Sequence, residues 1–301
     1  MQSRTTPHPG TAYPTPDRPT ARPPDRPTER SPMDEVLHRL EGGVSWITLN
    51  RPEAMNAVTW EQREHVIALL TEASADPAVR AVVLTATGPG FCAGADLRSQ
   101  PPATPTAPPT PAPRLTGDVS RMIRLGAQRL ITAVLDCEKP VIAAVNGTAA
   151  GIGAHLALAC DLVIAAEGAR FIEVFVRRGL VPDGGGAYLL PRLLGPQKAK
   201  ELLFFGDAVP AEEAARLGLV NKVVPADGLE ETARAWAERL AAGPTRALAL
   251  TKQLVNASLD SDRATALAAE ATAQELNMTT ADANEGVASF RERRTPKYLG
   301  H

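Results

Sequence analysis

Two short loops carry small residues where bare backbone could contact a ligand. Residues 91–97 read FCAGADL and residues 148–153 read TAAGIG, each at a predicted strand-to-helix junction. Small side chains let a ligand approach the main chain, and free N–H groups at the start of a helix favour negative charge. Two such amides converging on one carbonyl oxygen would form an oxyanion hole, which stabilises an enolate. Either loop alone is equally consistent with a tightly packed turn.

The elements that must position these loops alternate between strand and helix. Runs of β-branched and apolar residues predict strands, and helical periodicity predicts helices. Strands are predicted at 44–49, 81–87, 141–145 and 162–166, and helices at 59–75 and 117–137. From Pro196 onward nearly all of the chain has helical, Ala-rich character. The alternation predicts an α/β protein with largely parallel strand pairing.

Composition disfavours several classes of protein. The 301 residues carry 32 Lys+Arg and 34 Asp+Glu, and this balance argues against a nucleic-acid binder with a broad basic face. Cys92, Cys137 and Cys160 lack the spacing of a disulfide framework or a zinc site. No apolar run is long enough for a membrane span, and none follows the N-terminal arginines as in a secretory signal. We therefore expect a cytoplasmic protein without metal, membrane or nucleic-acid partners.

The prolines are concentrated in two segments. Nine of the 27 prolines lie in residues 1–32 and seven lie in residues 101–113. The first segment is rich in Pro, Arg and Thr, which predicts a disordered, solvated tail rather than a polyproline ligand. Alternatively, translation starts at Met33, where the sequence begins to resemble a folded domain. The second segment is predicted to be a mobile loop beside the first glycine loop, where it would cover a site.

Four segments, in this order and spacing, resemble the crotonase superfamily, also called the enoyl-CoA hydratase/isomerase family. They are ITLNRPEAMNA (47–57), FCAGADL (91–97), VIAAVNGTAAGIGAHLALACD (141–161) and RRGLVPDGGGAYLLPRLLG (177–195). The resemblance implies a spiral of ββα units over residues 33–226 and a helical region over residues 227–301 that forms trimers or dimers of trimers. It also implies an acyl-CoA thioester substrate and no tightly bound cofactor, coenzyme A being part of the substrate.

The resemblance assigns roles to individual residues of both loops. The oxyanion amides fall on Ala95 and Ile152, and isoleucine at the second position narrows the space beside the thioester. Phe290 and Lys297 resemble residues that approach the CoA phosphates, in some members from a neighbouring subunit. The residues expected to contact coenzyme A or the acyl chain are Glu53, Ala54, Met55, Ala93, Asp96, Leu97 and Phe175.

The acid/base positions favour isomerisation over hydration. His155 and Phe175 occupy the positions of the two hydratase glutamates, and phenylalanine cannot move a proton. Asp183 falls where several isomerases carry a catalytic carboxylate, although Pro-Asp-Gly is also an ordinary turn. One carboxylate can remove a proton from the acyl chain and return it to another carbon. Above an apolar pocket it should have a raised pKa. The favoured reaction moves a double bond from the 3,4 to the 2,3 position.

Other interpretations of the same residues stay open. His155 is either a hydrogen-bonded core imidazole or, with Asp183, a dyad that activates water for hydration or C–C hydrolysis, as in members that cleave β-diketones. Glu173 could carry a further proton, although its family match is not catalytic. A non-catalytic acyl-CoA binder is the third interpretation, because both hydratase glutamates are absent. Chain length and pathway, including fatty-acid β-oxidation, are not determined by these residues.

Overall fold

Two β-sheets form the framework of the chain in this computed structural model, which describes residues 34–98 and 115–301. These residues belong to a compact unit that extends from Ser31 to His301. The expectations for the tail at 1–32 and for the proline-rich loop at 101–113 therefore lie outside the described residues.

The larger sheet contains six strands in the spatial order β1-β2-β3-β5-β7-β10. The first pair is antiparallel, and the four remaining pairs are parallel. The four strands predicted from the sequence are its four central strands. The strands are β1 Val36–Glu41, β2 Val44–Leu49, β3 Ala81–Ala86, β5 Val141–Val145, β7 Leu162–Ala166 and β10 Lys222–Val224.

A smaller sheet lies beside it, in the order β4-β6-β8-β9. Its first three strands pair in parallel and the last is antiparallel. Each of β4, β6 and β8 follows a strand of the larger sheet along the chain, and helices come next, which is the repeating ββα unit. The strands are β4 Gly90–Cys92, β6 Thr148–Ala150, β8 Arg170–Ile172 and β9 Ala208–Pro210.

Eleven α-helices occur in the described part of the chain. Helix α1 starts with a capping box, in which Thr59 accepts from the Gln62 N–H and the Gln62 side chain accepts from the Thr59 N–H. The helices are α1 Trp60–Ala75, α2 Asp118–Leu125, α3 Ala127–Leu135, α4 Ile152–Leu158, α5 Gly186–Leu194, α6 Pro196–Phe205, α7 Ala211–Arg216, α8 Leu229–Ala241, α9 Thr245–Ser258, α10 Arg263–Asn277 and α11 Ala281–Glu292.

Strands β1, β4, β6 and β8 were not predicted from the sequence, and two further details differ from the expectations. The single helix predicted over 117–137 is two helices separated at Gly126, where a Cβ would lie 2.5 Å from the Met122 carbonyl oxygen and 2.6 Å from Arg63 Nη1. The region after Pro196 also contains β9 and β10, each of three residues. Such short strands span too few residues for an apolar period to reveal them.

Both faces of the larger sheet are buried. In β3, Val82 and Leu84 pack toward α1, α3 and α4, whereas Ala81 and Val83 pack against the alanine-rich face of α8. Burial on both sides explains the continuous apolar runs that marked these strands in the sequence. The three cysteines are buried free thiols. Within 34–98 and 115–301, no helix is long and apolar enough to cross a bilayer.

A buried lysine ties the C-terminal helices to this core. Lys252 of α9 is 9% exposed, and its Nζ lies 2.8 Å from Asp161 Oδ2. The same ammonium donates to the carbonyl oxygens of Val134 and Lys139 at 3.0 and 3.4 Å. Asp161 Oδ2 also accepts from the Val141 N–H at 2.7 Å. These contacts join α9 to the end of α3 and to the start of β5.

We expect Lys252→Met to lower the free energy of unfolding by about 2 kcal/mol, because it leaves buried acceptors and a carboxylate without their donor. The matched control is Lys198→Met, which removes an exposed pair with Glu201 and should change stability by less than about 0.5 kcal/mol. Urea denaturation measures both variants. Equal effects at the two sites would contradict the structural role of Lys252.

Candidate active site

The two glycine loops meet where β4 and β6 end. Gly90 pairs with Thr148 and Cys92 with Ala149, which holds the two strands side by side. A methyl group added to Gly94 would lie 3.1 Å from the Ala150 carbonyl oxygen and 3.8 Å from the amide nitrogen of Ile152. The structure therefore brings together the two segments that the sequence singled out.

Two further glycines allow this approach. A Cβ on Gly153 would lie only 2.1 Å from the carbonyl oxygen of Cys92, so α4 packs directly against the backbone of β4. Gly151 has φ +54° and ψ −123°, a backbone conformation that residues other than glycine rarely adopt. That turn ends β6 and allows α4 to begin at Ile152.

The amides of Ala95 and Ile152 are available to a ligand. Val58 forms a parallel β-bridge with Ala95: its N–H donates to the Gly94 carbonyl and its carbonyl accepts from the Asp96 N–H. The Ala95 N–H takes no part in this bridge. Ile152 is the first residue of α4, so its N–H has no acceptor within the helix. Neither N–H donates to any of the described residues.

A pocket beside these amides combines bare backbone, apolar side chains and a carboxyl group. Among the described lining residues, Asp183 is the one carboxylic acid, so a ligand in this pocket would meet a single carboxylate base. The lining residues are Ala93, Gly94, Ala95, Leu97, Gly151, Ile152, Val174, Phe175, Arg178, Leu180 and Asp183.

Asp183 is half-buried and its Oδ1 atom has no hydrogen-bond partner in the described structure. Burial raises the pKa of this carboxyl above its usual range, and a positive charge on the nearby His155 ring, when that ring is protonated, opposes the rise. A carboxylate with a raised pKa is a stronger base than an exposed aspartate, which suits the removal of a proton from carbon.

His155 lies behind the wall of the pocket rather than in it. Its side chain is fully buried, and Nε2 lies 2.9 Å from Glu173 Oε2. The ring stacks on Phe175 with centroids 5.3 Å apart and planes inclined by 12°. No hydrogen bond between His155 and Asp183 occurs among the described residues. The arrangement matches the core-imidazole interpretation of His155, with Glu173 as its partner.

The segment expected to contact coenzyme A lies against the first loop. Glu53 and Ala54 lie in a 3₁₀ turn, and Met55 follows in a left-handed conformation with φ +51°. The Met55 carbonyl accepts from the Ala93 N–H at 3.0 Å. The terminal methyl of the Met55 side chain would lie 2.7 Å from a Cβ on Gly90. The residues assigned to substrate contact in 53–55 and 93–97 are therefore neighbours.

The Asp96 carboxylate forms ion pairs with two arginines. The next residue, Leu97, is 74% exposed. The Asp96 carboxylate lies 3.1 Å from Arg51 Nη2 and 3.3 Å from Arg98 Nε. Burial alone would raise the pKa of Asp96, but hydrogen bonds from the Arg98 N–H and from Arg51 hold it below the usual range. Arg51 also donates to the Ala57 carbonyl, so Asp96 links the two segments.

Several of the assigned residues do not line the pocket in this chain, namely Glu53, Ala54, Met55, Asp96, His155, Phe290 and Lys297. Phe290 is 85% exposed on α11, and the Lys297 backbone donates to Glu285. Neither lines the pocket. The sequence reasoning, in turn, did not single out Val174, Arg178 and Leu180, which line the pocket. Arg178 and Leu180 lie between Phe175 and Asp183 in the chain, and Val174 directly precedes Phe175; this proximity was the available signal.

No group of three or more His, Cys, Asp or Glu side chains within 34–98 and 115–301 is placed to hold a metal ion.

Comparison with known proteins gives one consistent family. The family model described as enoyl-CoA hydratase/isomerase matches residues 39–301. The Escherichia coli (strain K12) 1,2-epoxyphenylacetyl-CoA isomerase is 39% identical over 268 residues, 89% of this chain and 99% of that protein. The Syntrophomonas wolfei crotonyl-CoA hydratase is 34% identical over 267 residues, 88% of this chain and 98% of that protein.

Solved structures give the same result. An enoyl-CoA hydratase from Bacillus anthracis superimposes with a TM-score of 0.80 at 34% identity and covers 89% of this chain and 100% of that one. An enoyl-CoA hydratase/isomerase from Cupriavidus metallidurans CH34 gives 0.77 at 36% identity, with 87% and 95% covered. The expected crotonase-like fold is confirmed.

Proposed function

Because the chain belongs to the enoyl-CoA hydratase/isomerase family, we propose that this enzyme is an enoyl-CoA isomerase. It moves a double bond of an acyl-CoA from the 3,4 to the 2,3 position. The observation that carries this proposal is the pocket itself, in which two free amides lie beside a single described carboxylic acid, Asp183. The E. coli relative is named an isomerase of a CoA thioester, 1,2-epoxyphenylacetyl-CoA, which supports isomerisation in general and not the position of the double bond.

In the proposed mechanism the amides of Ala95 and Ile152 donate to the thioester oxygen. Asp183 takes a proton from the carbon next to the thioester, and the negative charge spreads from that carbon into the carbonyl and the 3,4 double bond. The amides stabilise the resulting dienolate more than the neutral thioester. Asp183 then returns the proton to carbon 4, so no atom is gained or lost. The apolar wall around Phe175 keeps water from the dienolate.

The alternative activity is hydration or C–C hydrolysis through His155. Two relatives are named as hydratases, which supports hydration as the alternative. The burial of His155 and its hydrogen bond to Glu173 weigh against it, because a water-activating base must face the substrate. Asp183 alone would then have to activate water and protonate the product, without the second carboxylate that hydratases use.

The remaining assignments are proposals of the same kind. Residues 53–55, 93–97 and Phe175 contact coenzyme A or the acyl chain, and residues 33–226 form the catalytic part. Residues 227–301 mediate a trimer or a dimer of trimers; in support, several large apolar side chains there are exposed: Leu267, Leu276, Met278 and Phe290. A cytoplasmic location remains a prediction from the sequence.

The reaction type is tested by turnover of a 3-enoyl-CoA in water enriched in ¹⁸O. We expect a 2-enoyl-CoA of unchanged mass, because isomerisation adds no oxygen. Label in a hydroxylated or cleaved product would instead establish the alternative activity. Binding of the thioester without any product, across short and long acyl chains, would support a non-catalytic binder. A reaction without enzyme gives the background.

A further inference from the structure

Two buried polar atoms on either side of the pocket wall lack a hydrogen-bond partner among the described residues. One is Nδ1 of His155 and the other is Oδ1 of Asp183. A Cβ on Gly184, the residue after Asp183, would lie 3.0 Å from His155 Nδ1, so this edge of the ring faces the Asp183 segment. An unpaired buried polar atom costs folding free energy, so two such atoms on His155 and on the segment that its ring faces call for an explanation.

Glu173 determines which ring nitrogen of His155 carries hydrogen. Its side chain is 5% exposed and Oε2 lies 2.9 Å from His155 Nε2. A carboxylate accepts hydrogen bonds, so this contact favours a hydrogen on Nε2. In a neutral ring Nδ1 is then an acceptor with a free lone pair. Nδ1 and the Asp183 carboxylate are thus both hydrogen-bond acceptors. A proton on Asp183 would turn that carboxyl into a donor to Nδ1.

The ring has little freedom to change this arrangement. Phe175 stacks on one face, and a Cβ on Gly186 would lie 2.1 Å from Nε2. The segment 184–186 therefore packs against the imidazole at van der Waals distance. A ring flip that exchanged the two nitrogens would need this segment to move.

Among the described ionisable groups, His155 is the one whose charge acts on the pKa of Asp183, and Arg178 lines the same pocket. Arg129 of α3 pairs with Glu64, and Tyr188 and Arg192 of α5 pair with Asp260, all at the surface. Burial raises the pKa of the Cys92 thiol on β4 to about 12, so it stays neutral. The remaining charged groups of the flanking segments are Arg170 before the pair and Arg177 and Arg178 after it.

We propose that Glu173 and His155 position a proton acceptor behind the base: Glu173 holds Nε2–H, and the bare Nδ1 accepts a hydrogen bond from Asp183 once that carboxyl has taken its proton from the acyl-CoA. This rests on the proposed function. The proton forms a bond to Asp183 as the C–H bond breaks. While it resides there it is shared with Nδ1, and it then returns to carbon 4. His155 and Glu173 end in the state in which they began, so both are positioning residues.

The test is Glu173→Gln, which keeps the size of the side chain. A glutamine can donate to Nε2, so the ring can place its hydrogen on Nδ1 and donate to the Asp183 carboxylate instead. That bond stabilises the ionised base. We expect kcat with a 3-enoyl-CoA to fall about tenfold at unchanged KM. The acid limb of the pH profile should move about one unit lower. Glu167→Gln, at an exposed position, is the matched control and should change neither.

A second measurement follows the ring directly. The chain has five histidines, and ¹⁵N-histidine labelling separates a bare ring nitrogen from one that bears hydrogen. The His155 signal, assigned with His155→Gln, should show a bare Nδ1 in the wild type and a hydrogen on Nδ1 in Glu173→Gln. A protonated Nδ1 in the resting wild type would overturn the proposal.

Different outcomes contradict the positioning role of Glu173 and His155 and the isomerase function itself. If Asp183→Asn is inactive while Glu173→Gln keeps the wild-type kcat and acid limb, the positioning role is wrong and the isomerase function stands. A lower melting temperature of Glu173→Gln with unchanged kcat and acid limb would likewise reduce the pair to a structural one. If Asp183→Asn remains active, the proposed function itself fails.

Discussion

Replacing Asp183 by asparagine is expected to lower kcat for a 3-enoyl-CoA by about a thousandfold with little change in KM. The amide has the size of the carboxyl but cannot take a proton from carbon, and general base catalysis contributes about a hundredfold to ten thousandfold. The measurement is steady-state turnover of the 3-enoyl-CoA to the conjugated isomer. Turnover within a few-fold of the wild type would contradict the role of Asp183.

The same variant should be at least as stable as the wild type. Burial raises the folded-state pKa of Asp183 above the unfolded value, so the ionised form costs folding free energy at neutral pH. Asparagine removes that cost. As the pH falls through the folded and then the unfolded pKa, the wild-type carboxyl becomes protonated and the difference should shrink. Thermal unfolding at neutral pH and near pH 4 tests the sign and shows whether lost activity reflects lost folding.

Gly153→Ala is expected to lower the free energy of unfolding by about 2–3 kcal/mol and kcat by about a hundredfold or more. In an ordinary helix this change would stabilise by up to about 1 kcal/mol. Here the new Cβ would lie 2.1 Å from the carbonyl oxygen of Cys92 and 2.8 Å from its carbonyl carbon. Backbone cannot rotate away as a flexible side chain can, so α4 and the 91–97 loop must separate. The amides of Ala95 and Ile152 would then no longer converge on one oxygen.

The matched control is Gly168→Ala in the turn between β7 and β8. A Cβ there has no neighbour within 4 Å and the residue does not need a positive φ. We expect nearly unchanged stability and kcat. Urea denaturation and steady-state kinetics on both variants compare the two sites. If Gly153→Ala behaved like the control, α4 would not pack against β4 as the structure has it.

The central strands were predictable because each is a local signal. A strand buried on both faces is apolar along most of its length, as β3, β5 and β7 are, whereas β2 was predicted from its alternation and β-branched residues. The strands of the smaller sheet were missed because three residues are too few for a pattern. The break at Gly126 was missed for another reason, since it depends on contacts with Arg63 in a distant helix.

In the candidate site too, local features were recognisable in the sequence and contacts between distant segments were not. The glycines of both loops and the turn that carries Asp183 are recognisable in the sequence, because a close backbone approach or a tight turn demands particular residue types. The pairing of Glu173 with His155 was not recognisable, because 18 residues separate two side chains that meet only when β8 and α4 pack together.

The sequence by itself therefore determined the family, the four central strands and the two glycine loops that meet at the candidate site. These features depend on residue types at short spacing along the chain. Only the tertiary structure decided that the Ala95 and Ile152 amides lie beside one pocket and that His155 lies behind its wall with Nε2 on Glu173. It also decided that Asp183 has a buried oxygen without a partner among the described residues. Those outcomes depend on which distant segments come into contact, and burial and hydrogen bonding act on side chains only after that contact is made.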